Sequence, residues 1–330
     1  MKITSLVVAS FLVLLVAPVP AETQQTGKIY RLGILTPAAP PPRPDSRRGY
    51  DEAIDVLREI GYIEGQNLVV ERRYAEGRPE RLRTLAAELV QLRLDALVAV
   101  GTLAVQAARE ATKSIPIVMG TGGFDPVNQG FVASLARPGG NITGVTLNTG
   151  HELIGKRLEL FKEVVPKAMP IAVLTTDDAG GRLQIAQVEK AAASLGIKII
   201  GVEVTRRDYE RAFAAIKNKR AGALYVSSSP VLSNDRKRII ELAAQQRLPT
   251  IYEWSELAEE GGLMSYGANN RALYRRVATF VDRIFKGANP AELPVEQPTQ
   301  FELTINLKTA NALGLTIPQS LLVRADKVIE

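Results

Sequence analysis

The chain has 330 residues, 46% of them hydrophobic, 23% charged and 5% aromatic, with a formal net charge of +6. That length suffices for two domains of ordinary size, and the apolar content argues against a disordered chain. With no cysteine and a single histidine, His151, thiol catalysis, a disulfide framework and multi-histidine metal sites are excluded. No Gly-x-Ser-x-Gly nucleophile elbow occurs either.

At the start, Lys2 precedes an apolar run over residues 6–16, then Pro18, Pro20 and Ala21. Val19 and Ala21 occupy the −3 and −1 positions of a cut before Glu22, so residues 1–21 read as a secretory leader, too short to span a bilayer. No later segment is long and apolar enough to do so, and an exported, periplasmic protein that does not span the membrane is expected. The basic clusters Arg206-Arg207 and Arg236-Lys237-Arg238 lack interleaved aromatics. They read as solvated helix faces, not as a nucleic-acid footprint.

From residue 28 short apolar runs alternate with amphipathic stretches. Strands are predicted at 30–36, 67–74, 96–100, 115–119 and 144–147, with helices at 47–60, 80–91, 102–112 and 126–135 between them. The same grammar restarts at Pro170: strands at 171–175, 198–204, 223–226, 250–252 and 263–266, helices at 183–195, 209–218 and 235–246. A long helix at 272–285, a strand at 301–306 and short helices at 308–313 and after Pro318 close the chain. Strand and helix in regular alternation imply parallel sheets covered on both faces.

The halves read as divergent copies. "LRLDALVAVGT" (92–102) matches "KRAGALYVSSS" (219–229), and "SIPIVMG" (114–120) matches "RLPTIYE" (247–253), in the same order and at nearly constant offset. Tandem α/β lobes of one type follow.

In such sheets ligands sit beyond the carboxyl ends of the strands. The loops there carry Thr36, Gly101, Thr102, Gly120, Thr121, Thr176, Asp177, Ser227, Ser228 and Glu253, which are the candidate ligand-binding residues. Small hydroxyls and helix-start N–H groups suit an anionic end. Thr102 and Thr121 would serve it from the first half, with Ser227 and Glu253 on the second, where Glu253 would take a cationic end. Helix capping is the competing role for Thr102, Asp125 and residues 227–229. Trp254 fits either ligand stacking or packing between lobes. "GTGGFDPVNQG" (120–130) lacks the spacing and context of a nucleotide-binding loop. No catalytic set, metal site or cofactor is expected.

The strings "DPVNQGFVASLARPGGNITGV" (125–145), "GKRLELFKEVVPKAMPIAVL" (155–174) and the segment 261–330 beginning "GGLMSYGANN" resemble a family of ABC-transporter substrate-binding proteins that includes tryptophan- and tyrosine-type receptors. The resemblance covers residues 28–330. It implies a type I periplasmic-binding-protein fold, with two Rossmann-like lobes and a ligand cleft between them. By that resemblance lobe 1 comprises 28–146 plus about 267–297, and lobe 2 comprises 147–266 plus about 298–330. It further implies a non-enzymatic, monomeric receptor that closes on a small polar solute, amino-acid-like or an organic acid, and hands it to an inner-membrane ABC permease. A sensing receptor of the same fold is the alternative. The loops at 36–49 and 175–181 depart from the family pattern, so aromatic amino-acid specificity does not carry over.

Overall fold

Alternation of short apolar runs with amphipathic stretches resolves into two sheets in the computed structural model, which describes residues 28–41, 49–120, 122, 125–147 and 151–330, without the side chains of residues 151 and 152. The expected leader and Thr121 lie outside the described residues. The first sheet is built from β1 (Tyr30–Thr36), α1 (Gly49–Glu59), β2 (Leu68–Tyr74), α2 (Leu82–Gln91), β3 (Ala96–Ala99), α3 (Thr102–Ala111), β4 (Ile117–Met119) and β5 (Ile142–Gly144). The second opens with α4 (His151–Val164), β6 (Ile171–Thr176), α5 (Ala179–Ser194), β7 (Ile199–Val204), α6 (Tyr209–Asn218) and β8 (Ala223–Val226). It continues through α7 (Pro230–Asn234), α8 (Arg236–Gln245), β9 (Thr250–Tyr252), α9 (Ser255–Glu259) and β10 (Met264–Ala268). Then come α10 (Asn270–Phe285), β11 (Phe301–Asn306), α11 (Leu307–Leu313), α12 (Gln319–Arg324) and β12 (Lys327–Ile329).

Strand order is β2-β1-β3-β4-β5 in one sheet and β7-β6-β8-β9-β10 in the other, parallel throughout. The second sheet is extended by β11, antiparallel to β10, and by β12. The orders are identical, and the two repeated strings occupy β3 with β8 and β4 with β9. Both faces are covered: along β1, Leu32 and Ile34 enter one core and Leu35 the other. Along β6, Ala172 and Leu174 part from Ile171 and Val173 in the same way, as a two-residue side-chain period requires.

Helix α10 starts where the Asn269 side chain accepts the Ala272 N–H. It buries Leu273, Val277, Phe280, Val281 and Ile284, a helical stripe, and lays it on α1, β3, β4 and β5. Tyr62 of the first-sheet unit donates its hydroxyl to Asp282 at 3.0 Å. Val145 and Glu296 form a parallel bridge, so the chain segment leaving β5 and the one returning toward β11 run side by side.

One sequence expectation is corrected, and the structure adds short elements that the sequence left unmarked. Residues 126–135 form turns, not a helix, because Gly130 at φ +65 ends the first turn after Asp125 and Pro126. The expected helix at 235–246 is preceded by a separate short one, α7, that Pro230 starts and the Ser229 side chain caps. A last strand, β12, follows α12. No helix among the described residues is long and apolar enough to cross a membrane.

Candidate ligand-binding cleft

A 2-1-3-4-5 strand order reverses direction between its first and third strands, and the loops leaving those strands part to open a crevice. Both sheets point such a switch point at the same space. From the first come Thr36 at the end of β1 and Gly101-Thr102 after β3. From the second come Thr176-Asp177 after β6 and Ser228 after β8. All six line one cavity of about 910 Å³ between the sheets. Trp254 after β9, Tyr50 of α1 and Tyr274 of α10 also line it and give it aromatic surface.

The remaining candidates sit elsewhere. Gly120 is buried and donates its N–H to Ala99, and it does not line the cavity. Ser227 and Glu253 follow β8 and β9 on the face turned toward α4, one residue out of phase with Ser228 and Trp254. Glu253 lies in a sealed cluster: Arg157 Nη2 stands 3.4 Å from its Oε1, with side-chain exposures of 3% and 8%. The same guanidinium donates from Nε to the Tyr266 carbonyl at 2.7 Å and from Nη1 to the Tyr225 hydroxyl at 2.5 Å. Burial pushes the Tyr225 phenol up, so the cluster keeps it as a neutral hydroxyl. Glu253 therefore belongs to the interior of the second sheet and not to the cleft.

Capping explains part of the loop chemistry. Asp178 accepts the Gly181 N–H and starts α5, and Ser229 starts α7. Helix α3 differs. Its N-cap is Gly101, at φ +83 and ψ 162, with no side-chain hydrogen bond. Its first N–H groups, with the Thr102 hydroxyl, face the cleft uncapped. The Asn141 side chain, part of an Asn-x-Thr sequon, is committed to the carbonyls of Thr112 and Ile115.

The two basic clusters are not simple solvated faces. Arg206, Arg207, Arg236, Lys237 and Arg238 all line the cavity from the second sheet. Arg207 donates from Nε to Asp235 Oδ2 at 2.7 Å and from Nη2 to Oδ1. Hydrogen bonding to Asp235 holds its guanidinium protonated above even the usual arginine range. Arg236 pairs with Glu260 at 2.6 Å and Arg238 with Glu210. Their adjacency in sequence signalled charge. Their position at a strand-end loop and a helix start was the clue to the cleft. Glu256, also in the lining, accepts from Asn270 Nδ2 at 3.3 Å, and burial pushes its carboxyl up.

The lobes meet across this space. A Cβ placed on Gly101 would lie 3.2 Å from Pro230 Cγ, and one on Gly77 would lie 3.0 Å from Arg207 Cδ. Both glycines carry positive φ. The arrangement leaves the cavity between two walls that carry hydroxyl and backbone N–H groups. Among the described residues no group of acidic or imidazole side chains is placed to hold a metal ion.

Comparison with known proteins agrees with this geometry. The chain is 26% identical over 286 residues to the tyrosine-binding protein of Clostridioides difficile (strain R20291), covering 86% of this chain and 81% of that one. A Streptococcus pneumoniae ABC domain solved in complex with L-Trp superposes with a TM-score of 0.79 at 25% identity, over 91% of this chain and 99% of that one. A conserved domain protein from Vibrio cholerae gives 0.80 at 27% identity, over 91% and 100%. The family profile described as ABC transporter substrate binding protein matches residues 37–329. With two matching sheets, a cleft at their paired switch points and that match along nearly its whole length, the chain belongs to the ABC transporter substrate-binding protein family, with the type I periplasmic-binding-protein fold.

Proposed function

We propose that the protein is the periplasmic solute receptor of an ABC import system, which captures a small polar solute, amino-acid-like or an organic acid, and presents it to an inner-membrane permease. The observation that carries this reading is the cavity of about 910 Å³ lined from both sheets, since a solute touching both walls stabilises the closed form over the open one. The moving bodies are residues 28–146 with about 267–297, and 147–266 with about 298–330. The packing of α10 on the first sheet and the pairing of β11 and β12 in the second support that division. Thr36, Thr102, Thr176, Asp177 and Ser228 supply polar contacts, and Trp254, Tyr50 and Tyr274 the aromatic surface. The receptor acts as a monomer, without a cofactor and without catalysis.

The test is thermal-shift screening of the leader-free chain against amino acids, organic acids and purines, followed by solution scattering with any solute that stabilises it. A ligand at a hundred times its Kd adds about 2.7 kcal/mol to stability and should also compact the protein. Stabilisation without compaction would argue against closure, and turnover of the solute would argue for an enzyme.

A further inference from the structure

Arg207 stands where the lobes meet, and it is fixed there. One edge of its guanidinium, Nε and Nη2, donates to the Asp235 carboxylate, which also accepts the Tyr209 hydroxyl at 2.7 Å. Its aliphatic stem faces Gly77 of the opposite lobe. Nη1 takes part in none of these bonds, and the residue lines the cavity. A guanidinium already held in a fork loses little freedom on receiving a further partner, and its planar edge matches a carboxylate.

The surrounding charges are of both signs and largely paired. Asp235 is matched by Arg207, and Arg236 by Glu260. Arg206 and Lys237 line the same wall with no hydrogen bond or ion pair to a described residue. On the first-sheet side the charged lining residues are Glu52, which is paired with Arg275, and Arg271 of α10. With Glu253 sealed behind the sheet, Arg206 and Lys237 are the cations of the second wall left without an acidic partner, where an acidic residue was expected. Asp177 lies on the same wall with no side-chain partner among the described residues, and it suits an amine on the same solute.

We infer that Arg207 Nη1, backed by Arg206 and Lys237, receives an anionic group of the solute, so that the protein selects solutes carrying a carboxylate and docks that group on the second lobe. The inference rests on the solute-receptor reading and adds its polarity. Thr102 and the α3 N–H groups are left for a hydroxyl, a carbonyl or a second acid group.

Calorimetric titration of the leader-free chain against matched pairs tests it: L-tyrosine with tyramine, L-tryptophan with tryptamine, benzoate with benzyl alcohol, and succinate with butanediol, plus glucose and putrescine. At least one acid should bind, and its carboxylate-free partner should bind about 10- to 100-fold more weakly, the value of hydrogen bonds to a charged group. Arg207→Lys keeps a cation for Asp235 but loses the fork, and should bring the pair to within about threefold. Should that variant fold poorly, Arg207→Met with Asp235→Asn removes both charges and makes the same comparison. A carboxylate-free solute that binds as well as its acid partner, or a ratio that survives both variants, overturns the anion assignment while leaving the receptor reading intact. No binding by any member of the panel overturns both.

Discussion

Arg157 of α4 and Glu253, at the end of β9, face each other inside the second lobe at 3.4 Å, both almost wholly removed from solvent. The pair ties the helix that enters this lobe to the strand ends beneath the cleft. Through Tyr266 it also reaches β10, the strand that leads to the next crossing. Removing one partner of such a pair leaves a buried charge uncompensated, at a cost of about 3–5 kcal/mol. Glu253→Gln should therefore lower stability in urea denaturation by that order. A variant as stable as the parent would show that the pair is not held as described.

Gly101 joins β3 to α3 in a conformation open to glycine and to few other residues. Its missing side chain is what lets Pro230 approach. Gly101→Ala should cost about 1–3 kcal/mol from the backbone alone. It should also weaken solute binding and reduce ligand-induced compaction in solution scattering, because the added methyl meets a rigid ring. Unchanged compaction would mean that the lobes do not close at this point.

Burial, reinforced by Asp235, pushes the Tyr209 phenol well above its ordinary value near 10, and burial does the same for Tyr252. In both cases the folded protein holds the proton more tightly than the unfolded chain. Their contribution to stability is thus complete below about pH 10 and is lost as pH rises beyond it, by up to about 1.4 kcal/mol per pH unit for each phenol. Urea midpoints measured at pH 9, 10 and 11 should fall over the last interval. Tyr209→Phe should flatten that fall.

Trp254 is the only tryptophan in the chain and lines the cleft. Its emission should change on solute binding, with a titration curve matching calorimetry. Trp254→Phe should abolish the optical signal and weaken binding, by about tenfold if the indole anchors the ligand. Calorimetric binding with silent fluorescence would place the solute away from Trp254.

Much of this architecture was legible in the chain because it rests on local rules. Strand 30–36, strand 250–252 and strand 301–306 have the bounds that the sequence predicts, since apolar runs between turn residues mark buried strands. The duplicated strings mark β3 and β8, and β4 and β9, as equivalent strands of the two sheets. Residues 126–135 misled, because a helical spacing of apolar side chains says nothing about the left-handed turn at Gly130.

The sequence by itself determined the α/β alternation, the doubling and the loops in which a ligand would be held, since these follow from residue type and periodicity along the chain. Tertiary structure decided which of those loop residues face the cleft. In a strand, one residue of phase moves a side chain through the sheet, which separates Ser228 and Trp254 from Ser227 and Glu253. It also decided the electrostatics. Whether a charge is free or cancelled depends on partners far away in sequence, as Asp235 is for Arg207 and Arg157 is for Glu253, and only the folded chain brings them together.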